Sequence, residues 1–350
     1  MIRQDLIPLE DRAAWRQSLE GIPHGFGHTW ESCRAAARSS GAPTFLYRFQ
    51  DGPARVVCPL AERGQGWTRD LATPYGFGGF AGTGGGPLFR HRFRDFLRRR
   101  GYVCAYIGLH PVLTGGDWAG PGEAHVYNSV HVLDLTAPEE TLFARLSENR
   151  RREVRAFDRA RSEKTVELVE DRDALARFFL DHYEEFYRSR SASPLYFFSR
   201  DTLLDLFALD NVLLLGAAGP DGIEAVSVFG WTPYLADFLH NVSRPGGERH
   251  SAPLIWQAAR RLHARRIPFL CLGGGIHEGD GVARFKERFG GERRPLAALR
   301  QVYDRERYAE LCRLAGVDPE AEGYFPPYRN PRASAGTNEA PALAAGRGWR

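Results

Sequence analysis

The sequence predicts an α+β chain built as two tandem halves, each a sheet flanked by helices. Three observations carry this. The chain has 350 residues, enough for about two domains that each bury a core. Short runs rich in β-branched and aromatic residues, punctuated by Gly, Pro and Asp, alternate with charged amphipathic stretches. The succession of elements in the first half returns in the second.

In the first half, residues 13–19 and 29–39 read as helices, with Thr29 as N-cap of the second. Three β-prone runs follow, Thr44–Phe49, Ala54–Leu60 and Trp67–Leu71. They are separated by Asp51-Gly52-Pro53 and Arg63-Gly64-Gln65-Gly66, a meander signature that predicts antiparallel pairing. Thr73-Pro74-Tyr75-Gly76-Phe77-Gly78-Gly79-Phe80-Ala81-Gly82 is too rich in glycine for regular structure. A helix over Pro87–Arg100 and a strand over Tyr102–Ile107 come next, then a Gly/Pro-rich loop at 111–122 and an alternating strand at Asn128–Leu135. Pro138–Arg161 reads as one long charged helix bridging the halves.

The second half is predicted as a strand at Val166–Val169, helices at 172–189 and 200–207, and strands at Val212–Ala217, Ile223–Trp231 and Tyr234–Asn241. Helix 251–266, strand Phe269–Leu272, helix 281–288 and strand Leu296–Tyr303 complete it. Helix, helix, three-strand meander, helix, strand, helix, strand is the outline of the GNAT acyltransferase fold. The expected α/β (α+β) architecture is therefore two tandem GNAT-like domains joined by a long charged helix. The expected boundaries are 1–160 for the first domain with its bridging helix, 161–315 for the second, and 316–330 for an extension packing on the first. Residues 331–350, rich in Ala, Gly, Pro and Asn, read as a disordered tail.

Composition narrows the function classes. The net charge is only +4, but arginine is concentrated at Arg98-Arg99-Arg100, at Arg150-Arg151-Arg152 with Arg155, and at Arg260-Arg261 with Arg265-Arg266. Such clusters suit anionic partners as well as solvated helix faces. The five cysteines are scattered and odd in number, which points away from a disulfide framework or a zinc knuckle. No stretch approaches the ~20 apolar residues of a membrane span and no secretory leader is recognisable, so a soluble, cytoplasmic protein is expected.

Several familiar chemistries fail on context. Gly76-Phe77-Gly78-Gly79-Phe80-Ala81 matches GxGxxA but leads into more glycine instead of a helix, so a dinucleotide site is rejected. Glycines at 82–86 lack the Lys-Ser or Lys-Thr of a P-loop, and no GxSxG is present. His24 and His28 are four apart, but Gly25 and Gly27 argue against a metal-binding helix face. No metal and no cofactor are expected.

His240 and Asn241 end the third strand of the second half, where a GNAT sheet opens towards substrate. Either can hold an attacking amine, or simply serve as a hydrogen-bonded strand-end residue. A coenzyme A enzyme of this fold then needs an (Arg/Gln)-x-x-Gly-x-(Gly/Ala) turn, whose amides and following helix N-terminus hold pyrophosphate. Arg244-Pro245-Gly246-Gly247-Glu248-Arg249-His250-Ser251-Ala252 departs in spacing and introduces Pro245 and Glu248, which disfavours coenzyme A.

Only two of the 47 basic side chains are lysines, Lys164 and Lys286. Lys286 reads as opening a helix just after the Gly273-Gly274-Gly275 loop. There a compact ammonium with a movable pKa offers chemistry that a guanidinium does not, although a solvated helix lysine fits the same string.

Taken together, Thr73-Pro74-Tyr75-Gly76-Phe77-Gly78-Gly79, the basic run Glu148–Arg155, and Leu272-Gly273-Gly274-Gly275 leading into Phe285-Lys286-Glu287-Arg288-Phe289-Gly290 resemble the FemABX-like aminoacyl-tRNA-dependent transferases over about residues 25–305. The resemblance implies amide formation from an activated aminoacyl ester without a metal. Aminoacyl-tRNA would be the donor, and a small-molecule or peptide amine from a natural-product or cell-wall pathway the acceptor. It assigns Lys286 to catalysis with Phe285 as its packing partner, and His240 and Asn241, from their strand-end position, are the other catalytic candidates. Tyr75, Gly79, Tyr127, Phe285, Gly274 and Gly275 are assigned to substrate, and Arg150, Arg151 and Arg155 to tRNA phosphates. Acyl transfer from coenzyme A or a carrier protein is the alternative, and a catalytically silent binding relative a third reading.

Overall fold

The computed structural model describes residues 2–113, 116–190, 192 and 197–330. The predicted disordered tail at 331–350 lies outside the described residues. The chain divides into two compact units, Met1–Tyr127 with Pro295–Arg350, and Asn128–Arg294.

The first unit opens with β1 (Arg3–Pro8), α1 (Arg12–Leu19) and α2 (Trp30–Ser40), the last capped by Thr29, whose hydroxyl accepts from Ser32 N at 3.3 Å. Strands β2 (Thr44–Asp51) and β3 (Ala54–Arg63) form the predicted antiparallel hairpin, and β1 adds antiparallel to the outside of β2. Short β4 (Asp70–Ala72) and β5 (Ala81–Thr83) both pair with β3, followed by α3 (Pro87–Arg99) and β6 (Cys104–Gly108). Successive strand residues face opposite sides. Leu46 therefore packs with Trp15 of α1, while Tyr47 and Phe49 meet Phe93 and Phe89 of α3 at ring separations of 4.8 and 5.4 Å. The run expected as a strand at Trp67–Leu71 is instead a 3₁₀ turn at Gly66–Thr68 and only then β4, because Thr68 bonds back to Gln65.

The second unit receives the C-terminal part of β7 (Ala124–Asp134), then α4 (Glu139–Arg145), α5 (Glu148–Ser162), β8 (Glu167–Val169), α6 (Arg172–Ser189) and α7 (Arg200–Phe207). Next come β9 (Val212–Gly219), β10 (Gly222–Trp231), β11 (Ala236–Ser243), α8 (Ser251–Ala264), β12 (Phe269–Gly273) and α9 (Gly281–Glu287). Strands β8 to β11 form an antiparallel meander, β11 pairs parallel with β12, and β12 pairs antiparallel with β7. Leu215 and Ala217 join the core beneath α5 and α8. Gly216 faces the other way, where a Cβ would lie 2.2 Å from Leu175 of α6.

The chain then returns to the first unit through β13 (Glu292–Val302), whose later residues pair with β6, and α10 (Arg305–Leu314). Tyr328 and Arg329 end this segment on Asp70, a fully buried carboxylate.

Two expectations are corrected here. The bridging helix is not continuous: Leu146 closes α4 through its N–H to Phe143 O, and Ser147 starts α5 by accepting from Arg150 N. A serine able to cap competes with helix continuation, which breaks the pattern at that point. Both helices belong to the second unit, so the boundary falls near residue 128 instead of 160, and residues 295–315 belong to the first unit instead of the second.

Candidate functional site

Three segments of the second unit converge where β12 ends. The first is the loop from Gly274 to Asp280. One carboxylate organises it: Asp280 Oδ1 caps α9 by accepting from Ala283 N at 2.8 Å, and Oδ2 accepts from Ile276 N at 2.7 Å and His277 N at 3.0 Å. Partial burial opposes ionisation, but the converging amides win and hold this carboxyl below the usual range. Both predicted glycines are required by close approach. A Cβ on Gly274 would lie 2.2 Å from Ser129 O, and one on Gly275 would lie 2.1 Å from Asp280 Oδ1. Asn128 Nδ2 donates to Gly275 O at 3.0 Å and ties the loop to β7. Gly275→Ala is expected to cost about 1–3 kcal/mol by overpacking, read as a lower urea midpoint.

The second segment is α9 itself. Lys286 does not open this helix, as its distance from the glycines suggested, but lies in its last turn, because the Asp280 cap starts the helix six residues earlier. From there Nζ turns back to donate to Gly274 O at 2.7 Å. Burial draws its pKa down to about 8, against the opposing influence of Cys271 and Asp280.

The third is α5. Arg150 is 4% exposed, and its guanidinium lies 4.2 Å from the Phe285 ring centroid and 5.2 Å from that of Phe289. It donates to Phe285 O at 3.3 Å and pairs with Glu153. The side chain is therefore engaged in holding α9, and the phosphate role expected for it does not fit. Arg151 is also occupied, donating to Ala144 O at 2.9 Å and to Leu146 O at the end of α4. Arg155 is exposed, with its guanidinium 5.3 Å from the Phe143 ring centroid.

Strands β11 and β12 pair at only two positions, Ala236 with Leu270 and Asp237 with Cys271. Past these pairs the two strands are not hydrogen-bonded to each other. His240 and Asn241 lie on the β11 side. Tyr187 Oη and His240 Nδ1 are 3.1 Å apart, and rings of Phe179, Tyr183 and Phe198 surround the imidazole. Burial lowers its pKa to about 4, so it is neutral at pH 7. Asn241 Oδ1 accepts from Ser227 Oγ at 2.8 Å.

The turn after β11 is closed from below. Gly247 N donates to Arg244 O at 2.9 Å, and the Glu224 carboxylate lies 2.8 Å from both His250 Nε2 and Arg249 Nη2. An anionic side chain thus lies beside this turn, paired with Arg249 and His250.

Tyr75, Gly79 and Tyr127 lie in the first unit. Tyr75 is partly exposed on the glycine loop, and Tyr127 packs on Tyr106 at 6.5 Å between centroids. Gly79 is buried, its carbonyl 3.1 Å from His28 Nε2. Burial first, and His24 second, drive the His28 pKa down to about 3, leaving a neutral ring that anchors the loop. Among the described residues no cluster could hold a metal ion, and no helix is long and apolar enough to cross a membrane.

Asp280, Asn128, Glu224 and Tyr187 escaped sequence reasoning. Of these only Asp280 carried a local signal, Asp-Gly ahead of an apolar-periodic run, which is an N-cap pattern.

The fold and site define a tandem GNAT-like architecture. FemX has this fold, with a TM-score of 0.62 at 8% identity, over 88% of this chain and 99% of that one. L-PGS from Bacillus licheniformis matches with a TM-score of 0.53 at 12% identity, over 89% and 98% of the two chains. A conserved protein of unknown function from Bacteroides thetaiotaomicron matches at 0.58 and 10% identity, over 86% and 100%. No family model and no curated protein sequence matches the chain.

Proposed function

We propose that the chain is an N-acyltransferase that moves an aminoacyl group from aminoacyl-tRNA to an amine, forming an amide. The observation that carries this reading is Lys286, a partly buried ammonium fixed on Gly274 O beside the end of the β11–β12 pairing. An aminoacyl ester is already activated, so the protein has to align the amine and stabilise the tetrahedral oxyanion. Alignment is worth up to ~7–11 kcal/mol in favourable intramolecular models, and one oxyanion donor about 3–4 kcal/mol. Lys286 supplies that charge, and the neutral rings and amide around His240 and Asn241 hold the acceptor.

Two features favour the ester over coenzyme A: Glu224 beneath the turn after β11, and the hydrogen bond that occupies Gly247 N. The fold shared with FemX and L-PGS is compatible with aminoacyl transfer. The deciding experiment offers the purified protein charged tRNAs and, separately, acyl-CoAs. Consumption of the charged tRNA that depends on an added primary amine supports the reading, and amine-dependent consumption of acyl-CoA alone replaces it with the coenzyme A reading.

Of Arg150, Arg151 and Arg155, Arg155 is the exposed one and the one available to a phosphate. Arg155→Ala is expected to reduce by about 1 the slope of donor affinity against salt on logarithmic axes, with the unfolding midpoint unchanged. A salt-insensitive donor KM in the unaltered protein would remove α5 from the tRNA surface.

A further inference from the structure

His131 stands beside the same loop without a structural reason to be histidine. It lies on β7 directly opposite Gly273, at the point where the β7–β12 register shifts. Gly274, whose carbonyl receives Lys286, is pressed against Ser129 O of the same strand. Lys286 and His131 therefore flank one two-residue stretch of backbone. Ser129 and His131 are two apart and share a face of β7. On that face Arg293 Nε donates to Ser129 Oγ at 2.9 Å while its guanidinium pairs with Glu278.

The imidazole is 5% exposed, and neither nitrogen has a hydrogen-bond partner among the described residues. Nδ1 is fully enclosed, which leaves Nε2 as the nitrogen with access to the surface. Leaving a buried polar group unpartnered costs about 1–3 kcal/mol, and phenylalanine would fill the same space without that cost. The charged groups facing the ring are Lys286 and Glu287 of α9 and Arg293 of β13. Burial first, then Lys286 and Arg293, hold its pKa below the ordinary histidine value against Glu287, so the ring is neutral at pH 7.

We propose that His131 is the proton acceptor for the attacking amine, acting through Nε2. The assignment rests on the acyl-transfer reading above and adds a second functional group to it. The amine nitrogen attacks the ester carbonyl carbon, a C–N bond forms, and the π pair moves to oxygen under the charge of Lys286. Nε2 takes the proton from the new ammonium. As the carbonyl re-forms, the ester C–O bond breaks, and the departing ribose oxygen receives that proton back from the imidazolium. Amide and ribose hydroxyl leave, and both side chains return to their starting states.

The experiment measures transfer from a mixture of charged tRNAs to a panel of primary alkylamines and to methoxyamine, which is deprotonated at neutral pH. His131→Phe is expected to slow alkylamine transfer about 10²-fold, at the lower end of general-base effects, and to slow methoxyamine transfer less, because the ammonium of its adduct is acidic enough to lose its proton to water. No hydrogen bond is lost, so the melting temperature should hold. In His131→Ala, which leaves room for a small base, added imidazole should restore alkylamine transfer. Unimpaired alkylamine transfer in a folded His131→Phe protein overturns this inference alone. Equal losses with both acceptors, or no imidazole rescue, overturn it too, by reducing His131 to packing. An unaltered protein that consumes charged tRNA with no acceptor overturns the transferase reading and this inference with it.

Discussion

Lys286→Met is expected to lower turnover by ~10²–10³-fold with the fold intact, the loss seen when one preorganised oxyanion donor is removed. Among the described residues Nζ has one hydrogen-bond partner, Gly274 O at 2.7 Å, and an ammonium carries two further donors. Those donors, in a site largely withdrawn from water, are what a developing oxyanion would meet. An interaction made only in the transition state lowers kcat and kcat/KM equally, and this split separates it from a loss of binding. Lys286→Arg should fail as well, because a planar fork cannot take the place of a compact charge on a single carbonyl. Near-normal turnover of a folded Lys286→Met protein would sink the assignment.

The same residue sets opposite signs for stability and catalysis against pH. Its pKa is about 8 in the folded chain against an ordinary 10.5. Between those values the unfolded chain binds the proton that the folded chain has released, so Lys286 contributes rising stability as pH climbs from about 8 to 10.5. Catalysis needs the charged form and should fall as pH rises through about 8. In Lys286→Met the stability gradient should vanish, and burying a methyl in place of an ammonium should leave the urea midpoint equal or higher. Urea midpoints measured every half unit across that window check both signs.

The sequence showed the parts of this site more clearly than their arrangement. Strand and helix runs in the meanders were legible because their turn residues and periodicity are local. β1 and α10 were not: Arg3–Pro8 is short and polar and becomes a strand only by pairing with β2, and α10 is anchored by Tyr308, Leu311 and Cys312 packing on Val103 and Cys104. The glycine loop and the Phe-Lys motif were legible as strings. That Asp280 caps the helix had a local signal, but that the same carboxylate also folds the loop through the Ile276 and His277 amides was hidden, since that contact leaves no spacing signature. His131 was least visible of all, a lone histidine in a strand whose significance depends on its register against Gly273. The arginine cluster on α5 misled in a definite way, because charge in a sequence reads as solvent-facing until a partner is known.

For Arg150 that partner is α9. The guanidinium bridges residues 135 apart in sequence, donating to Phe285 O and lying over Phe285 and Phe289. A desolvated cation–π contact is worth about 2 kcal/mol and a charge-assisted hydrogen bond ~1.5–3 kcal/mol. Glu153 stays partly in solvent and can be rehydrated, so its loss of partner adds little. Truncation should therefore destabilise the protein by about 2–4 kcal/mol, seen as a lower urea midpoint. Turnover should fall with it, since the helix that Arg150 clamps is the one that aims Lys286. The salt dependence of donor binding should not change. That combination separates a clamp from a phosphate ligand: an Arg150→Ala protein of unaltered stability with a flattened salt slope would return the residue to the tRNA surface.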